Sequence, residues 1–122
     1  MSVESFEYAV IRVVPRVERG ESMNAGVILY SHGHGYLGCR IYLDEDRLRA
    51  LDPTTDMTAV TAALAAMDEA CQSDRPAAQP PGARFRWLTA TRSTIVQPSP
   101  VHSGLTADPA AELQHIFDLL VR

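Results

Sequence analysis

Three of the chain's eleven basic residues, Arg84, Arg86 and Arg92, stand close together in the stretch RFRWLTATRSTIVQPSPVHSGLT. The same stretch holds the single tryptophan, Trp87, together with Thr91, Ser93, Gln97 and His102, all four able to donate hydrogen bonds. From Arg75 to Ala107 there is no Asp or Glu, although the whole chain carries fifteen acids against eleven bases and nets −4. A local excess of guanidinium groups inside an acidic protein is the chemistry of a carboxylate or phosphate site. The candidate binding set is therefore Arg84, Arg86, Trp87, Arg92, Ser93, Gln97 and His102. A competing reading has the arginines tying the extended segment to its own carbonyls and to acids on neighbouring helices, since ion-pair networks recruit the same residue types as functional sites.

Other chemistries fare worse. Ser99 and Ser103 lie near His102, but no acid lies nearby in sequence to orient the imidazole, so no catalytic residue is assigned. The chain lacks a GxxxxGK phosphate loop, a dinucleotide fingerprint and an HExxH pair. His32 and His34 have no neighbouring third ligand and read as turn residues, so neither metal nor cofactor is expected. Arg84-Phe85-Arg86-Trp87 could stack bases and hold phosphates, yet the pI of about 5.5 speaks against nucleic acid. Trp87 reads instead as the core anchor of the last sheet layer.

These residues must be positioned by a small fold. A chain of 122 residues, 46% hydrophobic and 21% charged, falls in the range of one globular domain. No apolar run reaches the length of a bilayer span, and Met1-Ser2-Val3-Glu4-Ser5 does not resemble a signal peptide, so a cytoplasmic location is expected. Cys39 and Cys71 lack a paired spacing and read as small core residues.

Phe6 to Val14, aromatic and β-branched and stopped by Pro15, predicts a central strand. Arg12 shares its face with Phe6, Tyr8, Val10 and Val14; it must reach water, find a carboxylate, or join Arg86 or Arg92, and it completes the candidate set. Met23–Ser31 predicts a second strand, with Gly26 marking a bulge, and Tyr36 to Leu43 a third, paired to it as an antiparallel hairpin. Asp44 caps a short helix to Leu51, and Asp56 a longer one from Met57 to about Gln72. Ser73 to Ala83, rich in Pro and Ala, reads as an exposed connector. Arg84 to Ala90 and Ser93 to Gln97 are expected as strands and Pro98 to Gly104 as an ordered loop. Asp108, Pro109 and Glu112 open a final helix. This order predicts an α+β domain over residues 1–122, a mostly antiparallel sheet of four or five strands with about three helices packed mainly on one face.

Arg86-Trp87-Leu88-Thr89-Ala90, Arg92-Ser93, Gln97-Pro98-Ser99-Pro100, His102 and Gly104-Leu105-Thr106 resemble the C-terminal signature of the DUF3037 family of small bacterial proteins. Arg19-Gly20-Glu21 and Asn24-Ala25-Gly26-Val27-Ile28-Leu29 are similar to its N-terminal signature, with Ala25 where the family more often has valine. The resemblance runs from about Tyr8 to Val121 and is weakest between Thr54 and Ala83. It implies a bacterial cytoplasmic protein of unassigned function; members are encoded beside HipA-like kinase-type proteins, which makes such a protein the implied partner. The functional expectation is a non-enzymatic protein-interaction or regulatory module contacting its partner through Arg84 to His102. The alternative is an enzyme or binder acting on a phosphorylated or carboxylated ligand at that surface.

Overall fold

The computed structural model describes residues 2–72, 79–92 and 94–122; Ser93 and the 73–78 portion of the expected connector lie outside them. The elements run β1 (Glu4–Val13), β2 (Met23–Ser31), β3 (Tyr36–Ile41), α1 (Glu45–Leu51), α2 (Met57–Cys71), α3 (Pro81–Leu88), β4 (Val96–Pro98), β5 (His102–Thr106) and α4 (Pro109–Leu120). The architecture is the expected single α+β domain, with five antiparallel strands and four helices among the described residues, one helix more than anticipated.

The central position of β1 follows from its apolar residues on both faces. Ala9, Ile11 and Val13 point into a core closed by α1, α2 and α3 through Leu48, Val60, Leu64, Phe85 and Leu88. Phe6 points the other way, with Val27 and Leu29 of β2, against Leu113, Ile116 and Phe117 of α4. Three helices thus share one face of the sheet and α4 covers the other.

The sheet order is β3-β2-β1-β4, with β5 also on β1. A bulge in the β1–β2 pairing carries the register from Ile11↔Gly26 to Arg12↔Asn24, leaving Ala25 as the extra residue. Gly26 is required there by space, because a Cβ would stand 2.7 Å from the Arg40 carbonyl oxygen of β3. Asp44, Asp56 and Asp108 each accept a backbone N–H of the first turn and cap α1, α2 and α4 as expected.

Two expectations are corrected. Arg84 to Ala90 is not a strand: Pro81 opens a helix, and Phe85 and Leu88, three apart, form its buried side. Pro98 to Gly104 is not all loop, because His102–Thr106 pairs with Glu4–Tyr8. β4 and β5 lie end to end along β1, and the gap is closed by Ser99. Its N–H donates to the Val10 carbonyl at 2.8 Å and its hydroxyl accepts the Val10 N–H at 2.8 Å. A side chain thereby does the work of a carbonyl where the two prolines interrupt the ladder.

Candidate interaction site

The candidate residues are divided between the two faces of the sheet. Arg84, Arg86 and Trp87 sit on α3, which is anchored by fully buried Phe85, itself stacked on Tyr30 with ring centroids 5.5 Å apart. Gly82 permits this approach, since a Cβ there would lie 2.8 Å from the Tyr30 hydroxyl. Arg12, Gln97 and His102 lie on the opposite, α4-covered face. Gln97 is the cross-strand partner of Arg12. His102 is the partner of Tyr8, their rings 5.3 Å apart. Ser93 lies outside the described residues. The arginines therefore do not converge as one cluster.

Arg86 is spent within the molecule. Its guanidinium grips the Glu7 carboxylate with both prongs, Nη2 to Oε1 at 2.6 Å and Nη1 to Oε2. Hydrogen bonding from Arg86 holds the Glu7 carboxyl below its ordinary range, against the opposing effect of burial, and Glu7 in turn pushes Arg86 up. Glu7 carried a signal in the sequence, as the one charge on the β1 face otherwise made of Ala9, Ile11 and Val13.

Trp87 is not a core residue. The helix turns it outward to 62% exposure while Phe85 goes in. Arg92 braces the indole from the chain that follows, its guanidinium 5.3 Å from the ring and donating to the Trp87 carbonyl at 2.5 Å. Arg84, on the same helix, is partly buried and engaged within the molecule.

The other part of this surface was not legible in the sequence. In-register partners project from the same side of a sheet, so Ser103, opposite Glu7, and Leu105, opposite Ser5, face the side from which Arg86 descends. Leu105 is 71% exposed. Trp87 on α3 and Leu105 on β5, which pairs only with β1 among the described strands, are thus both exposed on the side of the sheet that carries the Arg86–Glu7 pair.

The remaining chemistry is structural. Ser99 is 3% exposed and its hydroxyl, taken by the Val10 N–H, donates to the Pro100 carbonyl at 2.9 Å, so it has no nucleophile's geometry with His102. His32 Nδ1 lies 3.1 Å from the Tyr30 hydroxyl and His34 Nε2 2.9 Å from the Thr106 carbonyl, so the two imidazoles serve different partners. Among the described residues no group of three or more His, Cys, Asp or Glu is placed to hold a metal. Cys39 and Cys71 are buried free thiols, and hydrogen bonding from Cys71, with burial, pushes the Cys39 thiol up. No helix among the described residues is long and apolar enough to cross a membrane.

No curated protein and no solved structure matches the chain. The model of the family described as protein of unknown function (DUF3037) matches residues 8–121, nearly the whole length, and the chain belongs to that family.

Proposed function

We propose that this chain is a non-enzymatic, cytoplasmic protein-interaction module with a regulatory role, docking on its partner through exposed Trp87 of α3 and Leu105 of β5. The observation that carries the reading is the outward Trp87, braced by Arg92, on a helix fastened to the sheet by buried Phe85 and the Arg86–Glu7 pair. Trp and Arg are the side chains most enriched among residues that dominate binding energy, and a rigid aromatic loses little freedom on association. Leu105 adds an apolar contact on an edge strand whose outer backbone groups can pair with an added strand. The first candidate partner is a HipA-like kinase-type protein, on the family resemblance. Hydrogen exchange of the purified chain with and without such a protein from the same organism tests the surface. Protection gathered on α3 and β5 supports it, and protection confined to α4 or α2 counts against it.

The second reading, an enzyme or binder for a phosphorylated or carboxylated ligand at the Arg84–His102 surface, is favoured by Arg92, which makes no ion pair among the described residues. Arg86 weakens it, because a ligand would have to displace Glu7. Turnover by the isolated protein of phosphate esters or carboxylated compounds would support it.

A further inference from the structure

Arg12 is the one arginine of the candidate set that lies on β1, away from α3 and the chain that follows it. It joins neither Arg86 nor Arg92. Ile11 and Val13 point into the α1–α3 core, so Arg12 between them projects to the α4 face. There its cross-strand partners are Asn24 on β2 and Gln97 on β4. In-register side chains stand about 5 Å apart at Cβ, so Arg12 has a carboxamide residue as its neighbour on both sides along the sheet.

None of the described acids answers this charge. The ion pairs of the structure occupy Arg16, Arg19, Arg49 and Arg86, and Arg12 has neither an ion pair nor a hydrogen bond among the described residues. Asp118, on the last turn of α4, accepts from Gln114 at 2.9 Å. Two of the carbonyls ending α4 are served without Arg12: Phe117 accepts the Val121 and Arg122 N–H groups, and Leu120 accepts the Asn24 amide at 3.0 Å. Arg122, over the Tyr42 ring at 5.6 Å, adds a second cation at the same end of α4.

The two amides are held in place. Asn24 is fixed by its bond to Leu120, and Gln97 by donating to the Thr94 carbonyl at 2.8 Å. Each carboxamide has two N–H donors and one is taken by these bonds, so one remains on each of the residues that neighbour Arg12. We propose that Arg12, Asn24 and Gln97 form a binding site for a small oxyanion, a carboxylate or phosphate group, on the sheet face beside the end of α4. It is separate from the surface that carries Trp87 and Leu105, and the two stand or fall independently.

The test is an NMR titration of the folded chain with inorganic phosphate and, separately, with acetate, following the Arg12 guanidinium and the Asn24 and Gln97 side-chain amides. Saturable shifts at all three groups with either anion support the site, and the tighter anion names the class. Arg12→Gln should weaken binding at least about tenfold, because the charge-assisted fork is lost. If that variant fails to fold, Arg12→Lys keeps the charge and stem without the fork and should also bind more weakly. No saturable shift with either anion, shifts at Arg92 without shifts at Arg12, or undiminished binding by folded Arg12→Lys would each overturn the proposal.

Discussion

Arg86 and Glu7, separated by 79 positions in sequence, meet in a two-pronged ion pair that pins the exposed side of α3 to the central strand. The side chains are 58% and 31% exposed, so solvent screens the pair and its contribution is modest. A double-mutant cycle with Arg86→Ala and Glu7→Gln should give a coupling of about 0.2–1 kcal/mol in urea unfolding, shrinking as salt is raised. The pH dependence has a definite sign. Glu7 has a folded pKa below its ordinary value of 4.5, so its contribution is present above that value and is lost as pH falls through the folded one. Stability of the wild type should therefore fall more steeply than that of Glu7→Gln on acidification through this window.

Ser99 should be indispensable for stability and irrelevant to any chemistry. In Ser99→Ala the buried Val10 N–H loses its acceptor, and an unsatisfied buried donor costs about 1–3 kcal/mol. Equilibrium denaturation measures this. A cost near zero would mean the β4–β5 junction relaxes to offer Val10 another acceptor.

Gly26→Ala should destabilise the chain by about 1–3 kcal/mol, since the new Cβ meets a backbone carbonyl of β3, which cannot swing away, and crowds Ile11 of β1. Gly20→Ala is a contrasting control. Nothing lies within 4 Å of its Cβ position, and only its positive φ of 72° opposes substitution. Thermal unfolding of the two variants separates crowding from backbone strain.

Adjacent aromatics of α3 should behave oppositely. Phe85→Ala empties a fully buried site and should cost about 3–5 kcal/mol, whereas Trp87→Ala should leave the melting temperature nearly unchanged. A strand reading, in which both rings point the same way, predicts similar costs, so the pair of variants tests the helix itself.

That contrast marks the limit of what was legible. β1 to β3, α1, α2 and α4 could be read because each carries its own boundary chemistry, such as Asp44, Asp56 and Asp108 as caps and Pro15 as a stop. Arg84-Phe85-Arg86-Trp87 alternates like a strand, while its helical stripe of Phe85 and Leu88 is only two residues long. The decisive signal was Pro81 at the helix start, inside a segment whose composition reads as a connector. The pairing of β5 to β1, and Ser99 standing in for a backbone acceptor beside it, join positions far apart in the chain and have no local signature. The candidate site divided for the same reason. Parity along a continuous strand would place Arg86 and Arg92 together, but a helix followed by a link carries no parity forward, and the partner of Arg86 lies in the first strand.

The most direct measurement is isothermal titration of wild type and Trp87→Ala against a purified HipA-like kinase-type protein from the same organism. The account predicts a stoichiometric complex with wild type and an affinity loss of at least about thirtyfold, near 2 kcal/mol, for a Trp87→Ala chain that remains folded. Equal affinity of the folded variant, or no complex with wild type, would contradict it.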